Sequence, residues 1–286
     1  GVIMTTKLNI LKTIKLYMNG EFVRGESGKF ATLKYHNSEN HYAHISIASR
    51  KDLRSAVESS IKAQSGWAKR TQYNKGQILY RMAEMMEGKR GEFLQILVDV
   101  NGLNPKAATE MIDSAIDALV YYAGFTDKFT ALVENINPIN GPYHNFTSSE
   151  AMGVVAHISS ENLDLAKLCA DIAAILCGGN SVISLMSENN WSLLAPLSEV
   201  FATSDLPAGT VNLLVTEKHE LLEWTAGHLE IKAISFQNSN IEKLQLVKLL
   251  SIDNMKRVIL PRKFELSLDL IVDHLEFKTS WHPVGF

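Results

Sequence analysis

Thiol, carboxylate and imidazole groups are where a chain keeps covalent or acid–base chemistry, and here their placement is uneven. The two cysteines, Cys169 and Cys177, lie in one apolar run, LDLAKLCADIAAILCGG. Read as a helix, that run puts Cys169 mid-helix on a packed face. It puts Cys177 at the carboxyl end, where the negative pole of the helix disfavours a thiolate. Both read as reduced core residues rather than as a disulfide or an activated nucleophile. His36, His41 and His44 are close in sequence but lack an evident fourth ligand, so solvated imidazoles outweigh a metal site. Asp113 and Asp117, four apart on a helix, fit a wet face better than an acid pair. Asn145 and Asn190 fall in glycosylation-type triplets, which read as chance matches without a secretion signal. Trp191 and Trp224 read as core or interface aromatics.

The elements that must position such groups come from ordinary globular material. The 286 residues are 46% hydrophobic and 21% charged, enough apolar mass for a large core and incompatible with a disordered or disulfide-stapled chain. A net charge of −3 leaves no footprint for nucleic acid or an acidic membrane surface. The opening MTTKLNILKTIKLYMNG has no apolar signal core, and no run of transmembrane length occurs, so a cytoplasmic protein is expected. In KLYMNGEFV, Asn19-Gly20 between two apolar runs predicts a small hairpin with a type I′ turn opening the fold. From Ser49, SRKDLRSAVESSIKAQSGW combines an N-cap serine and Asp52 in the first turn with apolar Leu53, Val57 and Ile61. Further helical patterns, including Met111, Ala115 and Leu119 on one face, extend a helical layer to about residue 130.

After NINPINGPYHN, which reads as a turn-rich linker, β-branched runs alternate with helical ones: GVVAHI, SVISL, TVNLLV, KAISF and KRVIL are five strands with four intervening helices. The helices are expected from Leu163, WSLLAPLSEVFAT, HELLEWTAGHL and IEKLQLVKLL. This is a doubly wound parallel α/β sheet. The last segment, LEFKTSW, places Leu275, Phe277, Thr279 and Trp281 on one face of a terminal strand that needs a sheet edge.

The segments LYMNGEFVRGESGK, SRKDLRSAVESSIKAQSGWAKR, GVVAHISSENLDLAK, ILCGGNSVISLMSE and DLPAGTVNLLV, in this order and spacing, resemble the aldehyde dehydrogenase family. The resemblance implies three parts: an N-terminal hairpin and helical layer over 1–140, a Rossmann-like nucleotide-binding sheet over 141–264, and a C-terminal oligomerisation strand over 265–286. The family's catalytic domain is expected to be absent from the chain. The fold implied is thus an aldehyde dehydrogenase-like α/β one with a doubly wound parallel sheet.

At the family's active-site positions the match is degenerate. Ser160-Glu161-Asn162 stands where the family has Pro-Trp-Asn, so Asn162 is a vestigial oxyanion donor or the N-cap of a helix beginning at Leu163. Leu185-Met186-Ser187-Glu188 replaces Lys-Pro-Ser-Glu, keeping Glu188 for the ribose or as a solvated loop carboxylate, and losing the lysine. Gln237-Asn238-Ser239-Asn240 replaces Thr-Gly-Ser-Thr, so a side chain stands where the cradle glycine belongs, although Asn238 tolerates a left-handed backbone better than most residues. Pro261 occupies the general-base position and has no proton to exchange. Ser160, Asn162, Ser187, Glu188 and Ser239 are therefore the residual cofactor-binding candidates, with no catalytic or metal residue expected.

Between His144 and Glu217 the only basic side chain is Lys167 against eight acidic ones, a field that opposes dinucleotide phosphates. Binding of NAD(P) is expected to be weak or absent. The resemblance then implies an oligomerising structural or regulatory homologue that pairs through Leu275, Phe277, Thr279 and Trp281, with itself or with a full-length aldehyde dehydrogenase. The alternative is an NAD(P)-dependent oxidoreductase acting on aldehydes with residual or partner-supplied catalytic groups.

Overall fold

The computed structural model describes residues 10–217 and 220–285. The opening through residue 9 and His219, part of an expected helix, lie outside them. Strand β1 (Lys12–Ile14) precedes the hairpin β2 (Leu16–Met18) and β3 (Glu21–Val23). Asn19 and Gly20 hold φ of 52° and 74°, the double left-handed geometry of a type I′ turn. A Cβ on Gly20 would also meet that of Ala208 at 2.9 Å, so bare backbone is required twice over. The hairpin does not open the fold as a separate element. It joins the main sheet, with Tyr17 opposite Leu213.

Strands β4 (Phe30–Lys34) and β5 (His41–Ser46) complete a small sheet with β1. Helices α1 (Arg50–Ala68), α2 (Gln72–Gly88), α3 (Arg90–Asp99), α4 (Pro105–Phe125) and α5 (Phe129–Val133) form the helical layer. The Ser49 cap exists as a full capping box: its hydroxyl accepts from the Asp52 amide while the Asp52 carboxylate accepts from the Ser49 amide. Leu53 and Val57 are buried but Ile61 is exposed. A strict four-residue step drifts roughly 40° per repeat on a helix of 3.6 residues per turn, which carries Ile61 off the buried stripe.

The segment read as a linker is strand at both ends, with a loop only over 138–142. β6 (Asn135–Asn137) and β7 (Tyr143–Ala151) pair antiparallel. The parallel strands follow as expected: β8 (Val154–Ile158), β9 (Ser181–Met186), β10 (Val211–Val215), β11 (Ile231–Phe236) and β12 (Arg257–Ile259). Their connections are α6 (Leu165–Cys177), a 3-10 turn (Glu188–Leu193) leading into α7 (Leu194–Ala202), α8 (Leu222–Gly227) and α9 (Ile241–Ser251). The sheet order is β12-β11-β8-β9-β10-β2-β3, so the chain reverses direction between β8 and β11. That switch point is where an open α/β sheet forms its crevice. All thirteen residues of α6 are buried, because α4 covers the side of α6 turned away from the sheet.

Residues 260–267 and a short helix α10 (Leu268–Val272) carry the chain to β13 (Leu275–Pro283). The edge that β13 finds is in its own chain, β7, with unbroken register from Leu275 opposite Ala151 to Pro283 opposite Tyr143. Only Leu275 of the expected apolar face is buried; Phe277 is 43% and Trp281 60% exposed. No helix of the described residues is long and apolar enough to cross a membrane.

Candidate functional site

Five parallel strands bring five loops to one edge, and the loop after β8 controls that edge. Residues 159–164 are fastened to the turn after β9 by Asn190, buried at 1% exposure. Its Nδ2 donates to the Ser160 and Asn162 carbonyls at 3.2 and 2.9 Å and to Ser187 Oγ at 2.8 Å, while its Oδ1 accepts the Asp164 amide at 3.1 Å. Ser187 Oγ donates to the Ser160 carbonyl at 2.6 Å, and the Ser187 amide donates to Ser159 Oγ at 2.8 Å. Ser160 and Ser187 are thus brought together, but the Ser187 hydroxyl is spent on the Ser160 carbonyl and the Ser160 hydroxyl accepts the Asn162 amide at 3.2 Å. Asn190, which reads in sequence only as a chance glycosylation triplet, is the organiser. Its local pattern does not mark it as the clasp of this loop, since its partners in the loop lie 26 to 30 residues away.

Asn162 is exposed and does not cap a helix. The helix begins at Leu165, and its cap is Asp164, whose Oδ1 accepts the Lys167 amide at 2.9 Å. A carboxylate standing immediately before the helix takes the role expected of the amide, and it leaves a negative group at the terminus a phosphate would need. Glu188 is exposed at the start of the 3-10 turn, whereas Leu185 is buried within β9.

At the loop after β11, Asn238 is buried and does not adopt the left-handed conformation its type would tolerate. Its Oδ1 accepts the Asn240 amide at 2.8 Å, and Asn240 caps α9 by accepting the Lys243 amide. Ser239 is exposed. The Lys243 ammonium reaches Glu161 across the switch-point crevice at 3.4 Å, so the loop after β8 is bridged to α9 by the chain's own ion pair. A dinucleotide requires an open, anion-accepting crevice. These residues do not fit one: a carboxylate caps α6, an ion pair spans the crevice, and an amide side chain fills the place of a glycine.

Lys167, the lone base of the acidic stretch, is also committed. Its Nζ donates to Asp171 at 2.9 and 3.1 Å and to Gln237 Oε1 at 3.0 Å. Asp171 Oδ2 lies 3.0 Å from His157 Nε2, and His157 Nδ1 lies 2.9 Å from Ser184 Oγ. Burial pushes the Asp171 carboxyl up, but His157 and Lys167 together hold it below the ordinary carboxylate value. The order serine, histidine, carboxylate is that of a hydrolase relay, but Ser184 and His157 have no exposed surface and Asp171 has 1%. It is an internal polar spine tying β8, β9, α6 and the loop after β11. The amide of Arg262 also donates to Gln237 Oε1, at 3.0 Å, bringing in the loop after β12.

Pro261 is exposed after β12. The next residue, Arg262, grips Asp273 through two hydrogen bonds at 2.6 and 3.0 Å, and Tyr122 Oη donates to the Ser267 carbonyl at 3.2 Å. Both cysteines are buried in α6 with free thiols. Burial raises both, Cys177 to about 12, away from any thiolate at neutral pH. His36, His41 and His44 form no metal-binding group with other described residues. Asp113 is ion-paired with Arg90 at 2.7 Å. Trp191 is core, whereas Trp224 is 47% exposed beneath the Arg50 guanidinium.

Compared with known proteins, residues 22–261 match the aldehyde dehydrogenase family. The chain belongs to that family. An aldehyde dehydrogenase from Bacillus cereus in its NAD+ complex superposes with a TM-score of 0.80 at 26% identity, covering 86% of this chain and 50% of that one. A point mutant of the Bacillus cereus enzyme gives the same score and coverage at 27% identity. A 3,6-anhydro-L-galactose dehydrogenase shares the fold at 22% identity, TM-score 0.79, with 86% and 51% covered. The chain therefore spans about half the length of these relatives. The matched region ends at Pro261, so the Arg262–Asp273 clasp and β13 lie beyond it.

Proposed function

We propose that this chain is a non-catalytic, cytoplasmic member of the aldehyde dehydrogenase family that acts by association, as a structural or regulatory subunit, with itself or with a full-length family member. The observation that carries this reading is the state of the thiols: both cysteines are inside α6, and burial raises both. Proline at the general-base position and the self-filled sheet edge support it. The surface for association is the β6–β7–β13 sheet. There β13 has β7 on one side only, and Phe277 and Trp281 stand exposed. An unpaired edge of this kind is a template for another strand.

Size-exclusion light scattering tests the association. The chain should run as an oligomer, and Phe277→Ser with Trp281→Ser should shift it toward monomer. A monomer before and after substitution refutes the proposal.

The second reading, an NAD(P)-dependent oxidoreductase completed by a partner, draws on the relative solved with NAD+. Calorimetric titration with NAD+ and NADP+ separates the two readings. No saturable heat is expected at about 1 mM, and saturable binding would favour the second reading.

A further inference from the structure

Away from the sheet edge, a cavity of about 570 Å³ opens where α1, α2, α5 and the β7–β13 pair meet; its walls include Gln72, Lys75, Phe129, Glu134, Glu150 and Leu275. Lys75 is 5% exposed, and its ammonium makes a single hydrogen bond, to the Ala68 carbonyl at 3.1 Å. Among the described residues it has no carboxylate partner. Glu150 is taken by Lys278. Glu134 accepts the Ser149 amide and hydroxyl, at 2.8 and 2.7 Å, through one oxygen only, leaving the other oxygen without a partner among the described residues. On the same face of α2, one turn before Lys75, the Gln72 Oε1 is buried and unpartnered.

The cavity therefore combines a buried cation that has a single, neutral acceptor with a carboxylate oxygen and an amide oxygen that have no donor among the described residues. A buried charge without its counterpart is costly, and burial accordingly lowers the pKa of Lys75. A simple anion would answer Lys75 but face Glu134. A simple amine would answer Glu134 but face Lys75. A molecule carrying both charges answers both.

We propose that this cavity binds a small zwitterionic amino carboxylate, its carboxylate on Lys75 and its ammonium on Glu134. The site does not depend on the catalytic standing of the chain. The test is calorimetric titration of the full chain with L-alanine, β-alanine and 4-aminobutyrate, which differ in charge separation, against propionate and propylamine, which each carry one charge. At least one amino carboxylate should saturate by about 10 mM and bind about tenfold more tightly than either control.

Lys75→Met should remove that binding. It should still fold, because replacing a buried charge with an apolar side chain of similar shape is often neutral, and thermal melting checks this. Glu134→Gln, at a half-buried position, should abolish the preference for the amino carboxylate over propionate, because it takes away both the partner of the ammonium and the charge that opposes propionate, and it stands as the test if Lys75→Met does not fold. The proposal is overturned if none of the three saturates, if propionate binds as well, or if folded Lys75→Met or Glu134→Gln binds as the parent does.

Discussion

Replacing Asp171 by leucine puts a number on the internal spine. The Lys167 and Asp171 side chains are 10% and 1% exposed, and their contacts of 2.9 and 3.1 Å make a buried ion pair rather than a solvated one. Removing the carboxylate leaves the Lys167 ammonium with Gln237 alone and His157 Nε2 without its acceptor. Breaking a buried pair from one side costs about 3–5 kcal/mol. With a urea slope of roughly 3 kcal/mol per molar, the unfolding midpoint should fall by about 1–1.7 M. Lys167→Met should cost a similar amount, since the carboxylate is then the uncompensated charge. The double variant Lys167→Met, Asp171→Leu removes both charges together. Its remaining defect is the unpaired His157 nitrogen, worth about 1–3 kcal/mol, so it should be more stable than Asp171→Leu alone. Urea denaturation of all four proteins closes the cycle. If the double variant loses the sum of the two single losses, Lys167 and Asp171 do not act as a coupled buried pair, and the reasoning fails.

Other positions are equally open to test. Neither Cys169 nor Cys177 should react with an aromatic disulfide reagent in the folded protein at pH 7, and both should react in denaturant; fast native labelling of either would contradict their burial. Lys256 donates to the Ala226 and His228 carbonyls at 2.8 and 2.7 Å, and burial lowers its pKa from 10.5 to about 8. Between those values the unfolded chain holds the extra proton, so stability should rise as pH climbs from about 8 to 10.5, and Lys256→Met should flatten that slope in urea titrations. Asn190→Ala should cost about 1–3 kcal/mol and speed amide exchange in residues 159–164; unchanged exchange would show that the loop is held by other means.

The parallel core was legible because each strand and helix carries its own periodic or uninterrupted apolar signal: Val154–Ile158 and Ser181–Met186 are buried at every position, as crossover strands should be. The polar spine was not. His157 lies inside an apolar strand, and Lys167 and Asp171 lie four apart inside a helix buried on all sides. A polar residue in a run with no wet face was the available clue, but it names no partner. The partners are set by how α6 docks on β8 and β9. The helix cap shows the same limit at short range, since Asn162 and Asp164 are both competent caps and only the path of the loop, fixed by Asn190, selects the second.

The third sheet is half visible in the sequence and half not, for one physical reason. Tyr143–Ala151 reads YHNFTSSEA, whose burial is intermediate or exposed at all but one position, so no face of β7 imprints a hydrophobic period and the turn-forming residues before it dominate the pattern. β13 does carry a period, in Leu275, Phe277 and Trp281, yet within its own chain only Leu275 is covered. A period-two apolar pattern is what burial on one face of a strand demands. The contacts on that face of β13 use it only partly: Thr147 and Thr279 hydroxyls at 3.1 Å and Tyr143 edge-on to Trp281 at 6.0 Å, while on the opposite face Lys278 is ion-paired with Glu150. Burying Phe277 and Trp281 would contribute about 1.5–3 kcal/mol for each large side chain. The mismatch between what the pattern of β13 demands and what its own chain supplies is therefore an argument for a second surface, independent of family resemblance, and the Phe277→Ser, Trp281→Ser pair removes that demand without disturbing the buried Leu275.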